Sequence, residues 1–276
     1  MDYETILLDV EDGVATITLN RPHKKNCMNP RMHDEMTHLL EALRYDDSVR
    51  VLVFTGAGDS FCAGMDIKEF FVALKDKPHA YDRVERVASE WRGRTLRFYP
   101  KPTIAMVNGW CFGGGFANVE GCDLAFAADD AQFGLSEINF RMLPGGAVAK
   151  SMANLMRPRD AMLYALTGRN FDGRKAAEIG LVNASFPRES LRAETMQVAR
   201  EIAAKDAWAL KGAKESYRYA LEMSWDASIS YVNAKGWELE KVQNTTWIGG
   251  AADDFVAGKY RPGLEGHETL RDEGQP

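Results

Sequence analysis

The chain of 276 residues is 45% apolar and 27% charged, a balance that supports a substantial apolar core and excludes a disordered or fibrous protein. Its formal net charge of −6 gives no basic surface to neutralise phosphates, so nucleic acid is not expected as a partner. The opening MDYETILLDVEDG is acidic and alternating, and there is no 18-residue apolar run. Neither a secretory signal nor a membrane span is expected, and the sequence reads as that of a cytoplasmic protein.

Residues 5–10 and 14–19 alternate around Glu11-Asp12-Gly13, predicting a β-hairpin that ends at Asn20-Arg21-Pro22. Pro30 as a first-turn residue, followed by Met32, Met36, Leu39, Leu40 and Leu43 on one face, predicts a helix whose stripe is core. Val51–Thr55 is a buried strand running into a loop over 56–66. After a helix expected at 80–99, strand Thr103–Val107, a loop over 108–113 and a helix opening at glycines 113–115 repeat the pattern, followed by strand Leu124–Ala127. This recurrence without a fixed period predicts α/β layering. Beyond about residue 145 strand signals fade. Helices are expected at 147–167, 172–179, 191–205, 208–222 and 225–243, with Ser224 as an N-cap and Gly168 and Gly180 as stops. The α/β core is assigned to 1–200 and a helical region to 201–276.

The four cysteines, Cys27, Cys62, Cys111 and Cys122, form no CxxC pair, and the five histidines are scattered. Buried free thiols are expected rather than a zinc site. Two glycine loops, Ala63-Gly64-Met65-Asp66 and Phe112-Gly113-Gly114-Gly115, each precede a predicted helix whose dipole favours negative charge. Neither matches a phosphate-binding fingerprint. They read either as turns needing positive φ or as places where backbone N–H groups meet a ligand, and a pair of such donors suits a carbonyl oxygen that becomes anionic. Glu137, among apolar neighbours just before Pro144-Gly145-Gly146, reads either as a structural carboxylate or as an acid–base group whose pKa burial raises.

Taken together and in order, Asn20-Arg21-Pro22 with Lys25-Asn26, Ala63-Gly64-Met65-Asp66, Asn108-Gly109 through Gly115, Cys122-Asp123-Leu124, Phe133-Gly134, Ser136-Glu137 and Leu166-Thr167-Gly168 resemble the crotonase, or enoyl-CoA hydratase/isomerase, superfamily. The likeness runs from about residue 4 to residue 264. It implies a spiral of β-β-α units with a C-terminal helical trimerisation region, assembled as a homotrimer or a dimer of trimers, and an acyl-CoA substrate. Coenzyme A enters as part of the substrate, and no separate cofactor or metal is implied. Met28-Asn29-Pro30, Trp110 through Phe116 and Leu135 through Asn139 most resemble the hydroxycinnamoyl-CoA (feruloyl-CoA) hydratase-lyases, which release an aromatic aldehyde and acetyl-CoA. By that resemblance Met65 and Gly114 supply the oxyanion hole and Glu137 the acid–base group. Lys25, Ala63, Asp66 and Lys259 of a neighbouring subunit contact CoA, and Cys27, Gly113 and Ala117 line the site.

The departures are informative. Enoyl-CoA hydratases carry a second glutamate twenty positions before Glu137, where this chain has Ala117. The lyases hold the substrate phenol with two tyrosines, and Phe70 and Asn233 stand there, with Tyr231 two residues from Asn233. Glu120, one helical turn from Ala117, is a further candidate acid. A hydratase or isomerase that leaves all carbon on one CoA is the rival enzyme reading. A non-catalytic relative that binds RNA or scaffolds an assembly is opposed by the acidic balance and by an intact hole beside a carboxylate.

Overall fold

Strand β1 (Ile6–Glu11) reverses through Asp12 (φ 51°) and Gly13 (φ 74°) into the antiparallel β2 (Val14–Leu19). Positive φ at both central residues matches the twist of a tight hairpin. The computed structural model describes residues 3–244 and 246–263, so the polar segment after Gly263 lies outside the described residues. Helix α1 (Pro30–Arg44) begins where the Asn29 side chain accepts the Met32 N–H at 2.9 Å. It buries the predicted stripe, and His33 with it. Each large side chain of that stripe contributes about 1.5–3 kcal/mol of transfer free energy.

From there the chain repeats one unit. Strand β3 (Val51–Gly56) leads to the three-residue β4 (Ser60–Cys62) and to α2 (Pro78–Glu90). Strands β5 (Thr103–Val107) and β6 (Trp110–Phe112) lead to α3 (Gly115–Gly121), and β7 (Leu124–Ala128) leads to β8 (Gln132–Gly134). Helices α4 (Val148–Leu155) and α5 (Pro158–Thr167), strand β9 (Phe171–Asp172), helix α6 (Gly173–Glu178), strand β10 (Ala184–Phe186) and helix α7 (Arg188–Ala203) complete the spiral. The long strands form one sheet in the order β1-β2-β3-β5-β7-β10, and the short ones form a second, β4-β6-β8-β9. Asparagines hold the corners between the sheets. Asn26 Nδ2 donates to the carbonyls of Ala57 (2.9 Å) and Ser60 (2.7 Å). Asn108 accepts the Gly56 N–H (3.1 Å) and donates to the Gly56 carbonyl (2.8 Å). At Gly109 a Cβ would stand 1.8 Å from the Asp59 carbonyl oxygen, so only glycine fits.

Four expectations need correction. The loops over 56–66 and 108–113 each contain a short strand, because the chain pairs there with the same segment of the adjacent turn. The helix expected over 80–99 starts at Pro78 and passes into a wider, π-type turn at Trp91–Thr95. The helix expected over 147–167 is two, since Pro158 lacks an N–H and holds Arg157 extended (ψ 136°). Strands continue past residue 145, where β9 and β10 close the two sheets.

Helix α7 lies against β3, β5 and β7. Helices α8 (Ala207–Ala220) and α9 (Trp225–Gln243) and the short α10 (Asp253–Val256) follow, with the Ser224 side chain capping α9 as predicted. Lys214 pairs with Asp123 at 2.8 Å and Arg218 donates to the Cys122 carbonyl at 2.8 Å, anchoring α8 to the spiral. Helix α9 packs on α8 and leaves Ile229, Val232 and Trp237 exposed.

Candidate active site

The first glycine loop is held to the segment before α1. Met28 N–H donates to the Gly64 carbonyl and Asp66 N–H donates to the Met28 carbonyl, both at 2.8 Å. This parallel bridge turns the N–H of Met65 away from Met28. Asp66 fixes the next turn, Ile67–Val72, by accepting the Glu69 N–H (2.9 Å) while its other oxygen pairs with the buried Arg21 (3.0 Å). Arg21 and Asn29 in turn hold Glu69. The Asp66 carboxylate is therefore spent within the loop. Ala63 N–H donates to the Lys25 carbonyl (3.0 Å), and Lys25 Nζ lies 3.8 Å from the centre of the Trp110 ring. Cys27 is half-buried beside them.

The second loop crosses the first. A Cβ on Gly64 (φ 91°) would stand 3.0 Å from the Phe112 carbonyl oxygen and 3.3 Å from the Gly114 nitrogen. Gly113 N–H donates to the Gly134 carbonyl (3.1 Å), whereas among the described residues the N–H groups of Met65 and Gly114 donate to no backbone carbonyl. Two backbone donors are thus left without a carbonyl where the loops cross, and such a pair can serve an oxygen that gains charge. The expected helix dipole adds little, because α3 has only seven residues and the first loop leads into the π-type turn Ile67–Val72.

Glu137 reaches the same place from β8 through a short 3₁₀ turn, Ser136–Phe140, closed by Arg141 in the left-handed region (φ 60°). Its Oε1 lies 2.7 Å from the position of a Cβ on Gly113 (φ 49°), and its Oε2 is buried without a hydrogen-bond partner. Burial pushes the Glu137 carboxyl above the usual range, only partly opposed by its own backbone N–H. A carboxyl raised in this way is suited to take and return a proton.

Ala117 is buried on α3 behind these loops, and Phe70 is buried with Val84 and Ala88, with Met65 packed against that cluster. Glu120 turns elsewhere: it pairs with Arg97, accepts from Asn154 (3.1 Å) and lies near Arg218. It holds α3 to its neighbours and is not a second acid beside Glu137. Tyr231 and Asn233 lie on α9, where Tyr231 faces Tyr219 and Asn233 is exposed, and Lys259 is exposed beside Asp254. Within the chain these three belong to the helical region rather than to the crossed loops. The thiols of Cys62 and Cys111 are buried, and burial pushes Cys62 up to about 12, so neither is an activated nucleophile. Arg92 escaped the sequence reading: its Nη1 donates to the Gly114 carbonyl at 3.4 Å, and nothing in Trp91-Arg92-Gly93-Arg94 distinguishes it from a surface arginine.

The family model for enoyl-CoA hydratase/isomerase matches residues 9–246, and the chain belongs to that family of enzymes. It is 46% identical over 234 residues to the hydroxycinnamoyl-CoA hydratase-lyase of Pseudomonas fluorescens, covering 84% of this chain and 85% of that one. It is 33% identical over 261 residues to the mevalonyl-coenzyme A hydratase of Aspergillus fumigatus, covering 94% and 87%. A crystal structure of an enoyl-CoA hydratase subunit from Geobacillus kaustophilus superposes with a TM-score of 0.85 at 28% identity, covering 95% of this chain and 99% of that one. The α/β spiral with C-terminal helices is therefore the crotonase fold.

Proposed function

We propose that the protein hydrates a hydroxycinnamoyl-CoA such as feruloyl-CoA and cleaves the product to an aromatic aldehyde and acetyl-CoA. The observation that carries this reading is the half-buried Glu137, whose carboxyl lies against Gly113 with Oε2 buried and without a hydrogen-bond partner, beside the crossed loops that present the N–H groups of Met65 and Gly114. The thioester oxygen accepts both N–H groups, which polarises the enoyl bond, and Glu137 removes a proton from the water that adds at the β-carbon and returns one to the α-carbon. Glu137 then deprotonates the β-hydroxyl. The Cα–Cβ bond breaks to release aldehyde, and the acetyl-CoA enolate is held by the same two donors until it is protonated. Neither half-reaction is a redox step. The similarity to the Pseudomonas fluorescens lyase supports the substrate class.

Lys25, Cys27 and Ala63 line the entry taken by CoA, and Asp66 shapes it through Arg21. The exposed apolar residues of α9 support assembly as a homotrimer or dimer of trimers, in which Tyr231, Asn233 and Lys259 serve a neighbouring site. A second reading, hydration or isomerisation of another acyl-CoA without cleavage, is favoured by Phe70 and Ala117, neither of which brings a hydroxyl to the pocket. Incubation with feruloyl-CoA, with separate assays for vanillin and acetyl-CoA and crotonyl-CoA as comparison, tests the proposal. Equal amounts of aldehyde and acetyl-CoA support cleavage. Turnover of crotonyl-CoA with no aldehyde from feruloyl-CoA moves the function to the second reading.

A further inference from the structure

Arg92 sits in the π-type turn that continues α2. Its Nε donates to the Ala88 carbonyl at 2.9 Å and its Nη1 to the Gly114 carbonyl at 3.4 Å. Nη1 is also 3.0 Å from where a Cβ on Gly114 would stand, a point 3.6 Å from Met65 Cγ. The guanidinium therefore touches Gly114, the residue that supplies one of the two free N–H groups. Of the five N–H donors of an arginine, most are left without an acceptor in the protein.

The buried arginines here are matched, Arg21 with Asp66 and Glu69, Arg97 with Glu120, Arg218 with Glu120 and Asp123, whereas Arg92 is half-buried. Among the described residues no carboxylate lies within ion-pair distance of Arg92. Glu85 attracts it from further off and bonds Ser89 instead. Glu137 is no partner either, since burial and its own N–H account for its shift. Burial lowers the Arg92 pKa to about 10, which leaves it charged at neutral pH. A half-buried cation without a counter-ion is partly desolvated yet still reachable, and it gains from any anion that comes to it.

A second unmatched donor lies close by. Trp91 Nε1 donates to His33 Nδ1 at 2.9 Å, so the ring proton is on Nε2, which is buried without a partner. Burial and the charge of Arg92 hold His33 neutral, with a pKa down to about 3. The His33 ring packs edge-on to Phe70 at 6.1 Å.

We infer that Arg92 is the receptor for an anionic oxygen carried by the acyl group of the bound thioester, either a carboxylate or an ionised phenol. This rests on the reading that Met65 and Gly114 hold the thioester carbonyl. It makes Arg92 the residue that selects acidic acyl groups over neutral ones.

The test is calorimetric binding of unreactive saturated thioesters to the full-length protein, in two pairs. Glutaryl-CoA against butyryl-CoA reads a carboxylate, and 3-(4-hydroxyphenyl)propionyl-CoA against 3-phenylpropionyl-CoA reads a phenol. The parent should bind the acidic member of at least one pair about tenfold or more tightly, and the pair that shows the preference identifies the oxygen. Arg92→Met and Arg92→Gln should bring that ratio towards one, with free CoA as the check that the site is intact. A parent ratio near one in both pairs overturns the inference, as does a ratio unchanged in either variant. Because binding needs no turnover, a parent that shows the preference but converts neither feruloyl-CoA nor crotonyl-CoA sinks the proposed reaction and leaves this role of Arg92 standing.

Discussion

A Cβ on Gly113 would stand 2.7 Å from Oε1 of Glu137, so the absence of a side chain at one residue makes room for the carboxyl at the other. Gly113→Ala should therefore push Glu137 aside. Its positive φ (49°) also costs an alanine about 1–2 kcal/mol. We expect kcat to fall by about 10²-fold, the usual cost of displacing a reacting group by an ångström. Steady-state kinetics on the preferred thioester would show this, with KM changing far less than kcat.

Removing the Glu137 charge should stabilise the protein at neutral pH. Its folded pKa is raised by burial, so the stability it contributes is full below the ordinary glutamate range and is lost as pH rises through the raised value. Glu137→Gln should then melt with the parent near pH 4 and above it at pH 7 to 8. Thermal denaturation at the two pH values checks the sign. A variant less stable than the parent at pH 8 would contradict a carboxyl raised by burial.

Glu120 should behave in the opposite way. It is buried against Arg97 and Arg218, and Glu120→Ala takes the close carboxylate from the buried Arg97 while Arg218 keeps Asp123, which should cost about 3–5 kcal/mol. Urea titration measures the loss. If Glu120→Gln instead abolished turnover while leaving stability untouched, the assignment of Glu120 to structure would be wrong.

Three of the four thiols should be inert in the native state. Cys62, Cys111 and Cys122 are buried with pKa values raised by that burial. With N-ethylmaleimide, only the half-buried Cys27 should react before urea is added.

Much of the spiral was legible because its parts are periodic. The hairpin, the stripe from Met32 to Leu43 and the apolar runs at Val51 and Thr103 each fix an element by pattern alone. The strands Ser60–Cys62, Trp110–Phe112 and Gln132–Gly134 were not legible, since three residues carry no alternation and their partners are the same segments one turn away. The crossing of the two glycine loops and the place of Glu137 beside Gly113 follow from that pairing. Sequence could name those residues but not bring them together. In sequence Glu120 stands out as a candidate acid and Arg92 does not, and only the structure separates the arginine without an ion-pair partner from the glutamate with several.

The most direct test of the account is to compare Glu137→Gln with the parent on feruloyl-CoA and crotonyl-CoA while following affinity for free CoA. We expect turnover to fall by at least about 10²-fold with CoA affinity kept, which would make Glu137 the proton-transfer group beside a site that still binds. A Glu137→Gln protein as active as the parent would contradict the acid–base assignment and with it the reaction proposed for these crossed loops.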